Sequence, residues 1–373
     1  MKHLIEKVSI GNINLESRMV MAPLTRNRAP GAMPNDLMKR YYAQRANPAT
    51  GVGLIISEGT AISNEAQGYA DVPGIWSQAQ LEAWKPIVHE VHKLGGKFVS
   101  QLWHVGRVSH VDLQIQGAQP VAPSAIAADT RTVLLENGVA KFVKVSEPRA
   151  LRLDEIPRLL DDYVVASRNA IKSGFDGVEI HCANGYLLHQ FLSDTANKRD
   201  DQYGGTIENR ARLCLEVIRA IVSEVGAHKT AIRLSPTTKA CGISDTTPLQ
   251  MYLYLLKELA NYPLLYIHVI EGDTGGARDN QYAHAEQIDY AHLKKHYLAC
   301  GGTSAWMVNN GYDKATAEVV IINDADLVSF GKLCIANPDL RKRFELNASF
   351  NSLDVKNLYG GGEKGYTDYP FLS

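Results

Sequence analysis

The sequence lacks the features that mark membrane and nucleic-acid-binding proteins. No apolar run reaches the roughly 18 residues that a membrane span needs, and the first residues hold no apolar segment of signal-peptide length. The 39 basic and 40 acidic residues nearly cancel, which leaves a formal net charge of −1. This balance argues against nucleic acid or an anionic membrane as the main partner. We therefore expect neither a nucleic-acid partner nor a membrane partner.

Cysteine pairs are also missing. The five cysteines are scattered along the chain and form no Cys-x-x-Cys pair: Cys182, Cys214, Cys241, Cys300 and Cys334. Such a pattern is typical of reduced thiols and not of a disulfide framework or a zinc site. We expect a cytoplasmic protein without a bound metal.

What the chain does have is a regular alternation of short apolar runs and amphipathic segments. The runs cover 19–22, 53–56, 97–100, 177–180, 230–234, 264–270, 306–308 and 327–330. The amphipathic segments cover 78–94, 155–173, 206–225, 248–260, 287–298 and 314–322. A (β/α)₈ barrel needs eight strand–helix units, and eight apolar runs with helical segments between them predict an α/β protein built as a single TIM barrel over residues 1–373. A doubly wound sheet is the alternative, but no Gly-x-Gly-x-x-Gly follows an early strand.

Two segments fall outside this rhythm. Residues 1–17 alternate around Gly11-Asn12 and predict a small hairpin that caps the barrel. Residues 107–150 lie between the third and fourth strands and contain apolar stretches on either side of an Asn137-Gly138 turn. They predict an inserted β-hairpin on the active face. It serves either as edge decoration or as a lid or platform for a partner cofactor.

The stretch from Gly177 to Leu192 places three polar groups where a strand gives way to a helix. His181 and Asn184 are three residues apart across a turn, and Tyr186 follows. Parallel α/β proteins carry their chemistry at this end of a strand. Two of the groups can bond one polar atom of a ligand while the tyrosine supplies a proton. The alternative is that all three are ordinary capping and turn residues.

Other strand ends carry groups that suit a flat, phosphorylated cofactor. Gln101 and Arg233 can bond a ring edge, and Thr25 can bond another carbonyl. The last two strands end in the glycine turns at Gly311 and Gly331, where many barrels hold a phosphate. The set fits a flavin mononucleotide better than a nucleoside diphosphate, although glycine turns alone are a weak signal.

These residues also match a known family. The chain resembles the Old Yellow Enzyme family of FMN-dependent ene-reductases along nearly its whole length. The matching segments are 18–29, 57–60, 68–69, 73–75, 101–107, 181–192, 197–212, 232–236, 336–340 and 365–370. They occur in order, about one per strand end, and include Gln101-Leu-Trp-His and His181-Cys-Ala-Asn-Gly-Tyr.

The resemblance implies FMN at the mouth of the barrel, NADPH or NADH as hydride donor, and a small electrophilic alkene as substrate. It implies that His181 and Asn184 bond the activating oxygen of the substrate, and that Tyr186 protonates the α-carbon. Further positions match the flavin-ring contacts: Pro23, Leu24, Thr25, Gly59, Gln101 and Arg233. Tyr69, Trp103 and Tyr359 match positions that line the substrate pocket. Family members occur as monomers and as homodimers.

Two departures from the family pattern coincide at the phosphate end. Relatives usually have Gly where this chain has Asn310, and Arg where it has Lys332. Lysine keeps the charge but loses the two-pronged geometry of arginine, whereas Asn tolerates positive φ better than most residues. We expect Asn310, Gly311, Gly331 and Lys332 to bind the FMN phosphate, less tightly than is usual for the family.

Other functions remain open at this point. The physiological substrate of the same machinery is an activated alkene or, alternatively, a nitrate ester, a nitroaromatic compound or a quinone. A metal-dependent hydrolase is disfavoured, because the 12 histidines form no His-x-His strand motif. A non-catalytic flavin sensor is disfavoured by the intact His181, Asn184 and Tyr186.

Overall fold

The computed structural model describes residues 3–136, 139–274, 276 and 288–372. The strands are β1 (Val8–Ile10), β2 (Ile13–Leu15), β3 (Met19–Met21), β4 (Leu54–Ile56), β5 (Thr60–Ala61), β6 (Lys97–Trp103), β7 (Val121–Ala122), β8 (Arg131–Glu136), β9 (Val139–Lys144), β10 (Arg149–Ala150), β11 (Gly177–Cys182), β12 (Thr230–Leu234), β13 (Tyr266–Ile270), β14 (Ala305–Asn309) and β15 (Leu327–Phe330). The helices are α1 (Asp36–Ala46), α2 (Gln78–Lys93), α3 (Ile156–Lys172), α4 (Leu187–Leu192), α5 (Ile207–Val225), α6 (Pro248–Leu259), α7 (Tyr290–Ala299), α8 (Lys314–Asn323), α9 (Lys332–Ala336) and α10 (Leu340–Leu346).

Eight parallel strands close into a barrel. Their order is β11, β12, β13, β14, β15, β3, β4 and β6, and β6 pairs back onto β11 through Glu179 opposite Gln101. The short β5 pairs only with the end of β6. The sheet therefore has no open edge between its first and last strands, which confirms the barrel and excludes a doubly wound sheet.

The inside of the barrel changes from apolar to polar along the strands. Near the amino ends of the strands, one cluster of buried side chains fills the interior and includes Val20, Leu54, Val99, Ala231, Tyr266, Met307 and Leu327. Ile10, Ile13 and Leu15 of the β1–β2 hairpin pack in the same cluster, so the hairpin plugs that end. Two residues further along, the inward positions are polar, for example Gln101, Arg233 and His268. Inward positions repeat every second residue, so the polar layer lies directly above the apolar one.

Helices cover the outside of the barrel because one face of each is apolar. In α3 the buried residues Leu159, Tyr163, Ala166 and Ala170 recur at helical spacing. Side chains cap several helix starts: Ser77 accepts from the backbone of Gln80 at α2, and Thr206 accepts from Asn209 at α5. The resulting outer core joins strand residues such as Phe98 and Val178 to the helices.

The insertion between β6 and α3 forms an antiparallel hairpin, β8 with β9. Its predicted turn residues, Asn137 and Gly138, lie outside the described residues. The hairpin is tied to the segment before it, since Thr132 Oγ1 donates to Gly68 O and Ala70 N donates to Val133 O at 2.9 Å. This anchoring places the hairpin beside Tyr69.

The predicted helices are all present to within a few residues, but α1 was not predicted from the sequence. Its buried face is formed largely by Tyr41, Tyr42 and Arg45, so the apolar period is weak. Within the described ranges, no helix has the length and apolar character needed to cross a membrane.

Candidate active site

The turn after β11 is held in a conformation that few residues adopt. Asn184 has φ of 56° and Gly185 has φ of 76°, both in the left-handed region. The Asn184 N–H donates to Ser235 Oγ at 2.8 Å, and the Gly185 N–H donates to His189 Nδ1 at 3.2 Å. A Cβ on Gly185 would lie 2.8 Å from Ala240 O. The turn therefore needs glycine at 185, and it fixes the direction in which Asn184 and Tyr186 leave the strand.

His181 is a neutral, buried imidazole. Only 4% of the residue is exposed. Burial, and then the charge of Arg233, holds its pKa well below the ordinary value. Its Nδ1 has no hydrogen-bond partner among the described residues. An unpaired buried polar atom is unfavourable, so His181 has the capacity to bond a ligand.

The Asn184 side chain is oriented by one hydrogen bond. Thr274 Oγ1 donates to Asn184 Oδ1 at 2.6 Å. With its oxygen engaged, the amide has its N–H groups left for a ligand. His181 and Asn184 thus present donors from the same strand end.

Tyr186 stands beside His181 in an aromatic cluster. Its ring centroid lies 4.9 Å from that of His181 and 4.9 Å from that of Trp103, both edge to face. Its hydroxyl lies 3.0 Å from the hydroxyl of Tyr69, whose ring stacks on Trp103. Burial raises the pKa of Tyr186 and that of Tyr69. Both phenols therefore keep their protons at neutral pH.

Two cavities open at this end of the barrel and share the residues Pro23, Leu24 and Lys332. The first, of about 390 Å³, is lined by Thr25, Arg26, Tyr69, Arg131, Val133, Phe142, Tyr186, Ile335, Leu358 and Tyr359 besides the shared residues. The second, of about 310 Å³, extends from Asn184 and Arg233 to Asn310, Gly311, Gly331 and Lys332. Both are large enough for part of a small organic ligand.

Arg233 lies at the inner end of the second cavity. It is 5% exposed and donates through Nη2 to Asn309 Oδ1 at 2.8 Å. In the described ranges its Nε finds no acceptor. A buried guanidinium needs an acceptor or an anion, so this end of the cavity is prepared for a ligand with acceptor atoms.

The outer end of the second cavity is built from two tight turns. Asn310 has φ of 99° and Gly311 φ of 67°, so an asparagine occupies a conformation that favours glycine. Its Nδ2 donates to Glu271 O at 2.7 Å and Asp273 O at 2.9 Å, which ties the turn to the loop after β13. Lys332 is exposed at the rim, where its positive charge can attract an anion.

Comparison with known proteins assigns the family. A sequence profile of the NADH:flavin oxidoreductase / NADH oxidase family matches residues 3–351. The chain belongs to this family, the Old Yellow Enzyme family. It is 44% identical over 375 residues to 12-oxophytodienoate reductase 1 of Oryza sativa subsp. japonica, covering 99% of this chain and 93% of that protein. It is 38% identical over 379 residues to 12-oxophytodienoate reductase 2 of Arabidopsis thaliana, with 99% and 96% covered.

Solved structures give the same assignment. Morphinone reductase in complex with tetrahydroNAD superimposes with a TM-score of 0.91 at 42% identity, covering 100% of this chain and 98% of that one. The Old Yellow Enzyme homologue from Zymomonas mobilis superimposes with a TM-score of 0.89 at 40% identity, covering 100% of both chains. As a member of the Old Yellow Enzyme family, the chain is an FMN-dependent oxidoreductase that uses NAD(P)H to reduce activated carbon–carbon double bonds.

The second cavity fits the FMN that the family implies. Its inner end offers the unpaired Nε of Arg233, and its outer end offers backbone turns and the Lys332 ammonium group. A ring with carbonyl acceptors suits the first end and a phosphate suits the second. Within the described residues, no group of three or more His, Cys, Asp or Glu side chains is arranged to hold a metal ion.

Most predicted site residues come together at the mouth, but some lie behind it. Pro23, Leu24, Thr25, Tyr69 and Tyr359 line the cavities. Trp103 is 1% exposed and packs behind Tyr69 and Tyr186. Gly59 abuts the Trp103 indole, which any Cβ at position 59 would overlap. Trp103 and Gly59 thus shape the site from beneath.

Sequence reasoning missed the residues that fix the wall carrying Tyr359. Arg26 Nη2 donates to Gly365 O at 2.6 Å, and Arg28 Nη2 donates to Asn357 O at 2.9 Å. The Arg28 guanidinium also stacks 4.4 Å above the ring of Tyr366. These bonds join the end of β3 to a segment more than 300 positions away, which no local pattern reveals. The segment 18–29 matched the family, and its three arginines were the available signal.

Proposed function

We propose that His181 and Asn184 bind the activating oxygen of an α,β-unsaturated substrate. Two observations support this: the unpaired Nδ1 of the neutral His181, and the Asn184 amide whose oxygen is held by Thr274. When a hydride reaches the β-carbon, negative charge grows on the substrate oxygen. Preset donors stabilise that charge without reorganisation, an effect that typically amounts to a factor of about 10²–10³ per donor.

In this proposal Tyr186 donates the proton to the α-carbon. Its hydroxyl lies at the wall of the first cavity and is protonated at neutral pH. Tyr69 stands 3.0 Å away and donates to the Tyr186 oxygen as that proton leaves. The second phenol thereby stabilises the phenolate that forms.

The remaining predicted residues hold the FMN, which when bound supplies the hydride that it has taken from NAD(P)H. We place the ring edge against Gln101 and Arg233, with Pro23, Leu24, Thr25 and Gly59 beside the ring. Asn310, Gly311, Gly331 and Lys332 take the phosphate. The assignment is supported by the residues of this set that line the second cavity together: Pro23, Leu24, Arg233, Asn310, Gly311, Gly331 and Lys332.

We propose an apolar cyclic enone as the substrate class. The first cavity presents apolar surface from Val133, Phe142, Ile335 and Leu358, with Tyr186 at its inner wall. The relatives named above are reductases of 12-oxophytodienoate and of morphinone. Nitrate esters, nitroaromatic compounds and quinones are the alternative substrates, and each would use the same oxygen-binding pair.

We propose NADPH as the preferred hydride donor. Arg131 lines the first cavity, and its cross-strand partner in the inserted hairpin is Lys144. Both are exposed, so two cations stand at the rim where the phosphates of a nucleotide would pass. Replacement of Arg131 by glutamine should raise KM for NADPH more than KM for NADH. Equal changes would contradict this preference.

The free cysteines are consistent with the expected cytoplasmic location, which we keep as a proposal together with a monomeric or homodimeric state. The sulfur atoms of Cys182 and Cys214 lie 3.6 Å apart, and neither cysteine forms a disulfide bond. Adjacent thiols remain reduced in a reducing compartment.

The experiment that tests the proposed function is the visible spectrum of the purified protein before and after anaerobic addition of NADPH. We expect a flavin band that bleaches with NADPH and returns when cyclohexenone is added. In the double variant His181→Ala/Asn184→Ala, the flavin band should still bleach with NADPH, but its recovery with cyclohexenone should be at least 100-fold slower. A protein that takes up no FMN, or a double variant that recovers normally, would contradict the proposal.

A further inference from the structure

Four buried polar side chains form a continuous chain across the barrel just below the mouth. Gln101 Nε2 donates to Glu179 Oε1 at 2.7 Å. Glu179 Oε2 lies 2.8 Å from His268 Nδ1, and His268 Nε2 lies 2.8 Å from Ser329 Oγ. Glu179 and His268 are fully buried. We call these four residues the buried chain; of its members only Gln101 has been given a role above.

The protonation states along the buried chain follow from its surroundings. Burial opposes ionisation of Glu179, but His268, Arg233 and Gln101 together hold its pKa below the ordinary value. Burial lowers the pKa of His268, so the imidazole is neutral at pH 7. Its Nδ1–H then donates to the carboxylate, and its Nε2 accepts from the Ser329 hydroxyl.

An ionised carboxylate fixes the orientation of the Gln101 amide. Glu179 can only accept hydrogen bonds, so Gln101 must turn its NH₂ group inward. The Gln101 oxygen is then the amide atom that remains to bond the ring placed against it above. The mouth therefore offers an acceptor from β6 beside the donors of Arg233 from β12.

The same carboxylate balances the charge of Arg233. Both residues lie in the polar layer of the interior, and the charge of Glu179 raises the pKa of Arg233 against the effect of burial. Arg233 is 5% exposed. Without this carboxylate, no nearby negative charge would balance the positive charge that its guanidinium presents to the ligand. Removing one of two opposite buried charges leaves the field of the other uncompensated.

We propose that Glu179 is a positioning residue for the flavin: its carboxylate orients Gln101, balances Arg233, and so keeps the reduction potential of bound FMN low. The proposal rests on the placement of the ring edge against Gln101 and Arg233 given above. Glu179 acts through these two neighbours and does not itself touch the reacting atoms.

The decisive variant is Glu179→Gln, which keeps the size of the side chain and removes its charge. All hydrogen bonds of the buried chain can be re-formed if His268 moves its proton from Nδ1 to Nε2, so the variant should fold. The uncompensated Arg233 will favour the reduced ring, which carries more negative charge than the oxidised ring. We expect the reduced form to be bound at least tenfold more tightly relative to the oxidised form. For a two-electron couple this is a rise in midpoint potential of about 30 mV.

Two further variants separate charge from contact. Glu179→Asp keeps the charge but shortens the reach to Gln101, so FMN should bind more weakly at nearly unchanged potential. Asp176→Asn is the matched control, one position before the start of β11, the strand that carries Glu179. Asp176 accepts from the Phe98 N–H and contacts His92, both at 2.8 Å. Its loss should lower the melting temperature and leave FMN affinity and potential unchanged.

The outcomes distinguish this proposal from the function on which it rests. If the wild-type protein binds no FMN, the proposed function fails. If it binds FMN and Glu179→Gln leaves the potential unchanged or lowers it, only the role of Glu179 is overturned. If the midpoint potential of bound FMN rises as much in Glu179→Asp as in Glu179→Gln, the role of Glu179 is overturned as well. Should Glu179→Gln not fold, Glu179→Asp decides: weaker FMN binding supports the proposal, and unchanged binding overturns it.

Discussion

The hydroxyl oxygens of Tyr69 and Tyr186 lie 3.0 Å apart, so the proposed proton donor is hydrogen-bonded to a second phenol. The two residues are 117 positions apart in the chain. Trp103 holds the pair by stacking on Tyr69 and meeting Tyr186 edge to face. The proposed proton donor is thus held in place by contacts with two other aromatic side chains.

Replacement of Tyr186 by phenylalanine should separate the two halves of the reaction. We expect reoxidation by cyclohexenone to slow by about 10²-fold or more, the usual contribution of a positioned acid. Reduction by NADPH needs no proton from Tyr186 and should be nearly unchanged. Stopped-flow absorbance measures each half separately. Tyr69→Phe is the matched control and should slow only reoxidation, by a smaller factor; equal rates in Tyr186→Phe and wild type would rule out the proposed role.

The phosphate end offers a test of the two departures from the family pattern. Lys332→Arg adds the two-pronged donor that lysine lacks, and Asn310→Gly relieves the φ of 99°. We expect the double variant to bind FMN about tenfold more tightly, the equivalent of one charge-assisted hydrogen bond. The single Asn310→Gly variant also loses the bonds to Glu271 and Asp273, so Lys332→Arg should carry most of the gain. Fluorescence titration of the apoprotein gives the dissociation constants, and wild-type binding as tight as that of the double variant would contradict the expectation.

Gly59 should not tolerate alanine. Its added Cβ would overlap the Trp103 indole, which is 1% exposed and cannot move aside. Overpacking of this kind usually costs about 1–3 kcal/mol, and FMN binding should weaken as the strand end shifts. Gly362→Ala is the control, because nothing lies within 4 Å of a Cβ at that position. Thermal unfolding of both variants decides; equal melting temperatures would show that Gly59 is not sterically required.

The buried carboxyl group of Glu58 should make the stability of the protein depend on pH. It is 1% exposed, and burial raises its pKa from 4.5 to about 7, although the Arg26 N–H donates to it at 3.1 Å. Between these values the folded state binds a proton that the unfolded state has lost. The contribution of Glu58 to stability therefore falls as pH rises from about 4.5 to about 7 and is constant above.

The variant Glu58→Gln stays uncharged and should remove this slope. Urea unfolding should show that the free energy of unfolding of the variant, relative to that of the wild type, is greater at pH 8 than at pH 5. The exposed Glu82→Gln, which breaks a surface pair with Lys85, should show no comparable gain. A constant difference between Glu58→Gln and wild type at both pH values would refute the raised pKa.

The barrel was predictable because its strands are short apolar runs separated by amphipathic segments. Arg233 is a charged residue within one of these apolar runs, which marks it in the sequence. Glu179 interrupts another, between Val178 and Ile180, and carries the same kind of signal. The role of Glu179 depends on its contacts with Gln101 and His268, which are 78 and 89 positions away. These contacts exist only in the closed barrel and could not be predicted from the sequence.

The helix α1 could not be predicted for a related reason. Its buried face carries Tyr41 and Arg45, and Arg45 satisfies its guanidinium on carbonyl oxygens of Cys334 and Ile335. An apolar period is weak where a helix packs through arginine and tyrosine. The partners that make such a face favourable come from the other end of the chain.

The bonds from Arg26 and Arg28 to residues 357–365 also fix the order in which the site can be completed. The barrel strands are all present once β15 has been made, yet the wall that carries Tyr359 comes later in the chain. During synthesis, the segment must leave the ribosome and dock on the two arginines before the first cavity is enclosed. Protease cleavage within 357–365 of the folded protein should undo this last step alone. The barrel strands and the turns at Gly311 and Gly331 would remain, while the first cavity would lose the wall that carries Tyr359.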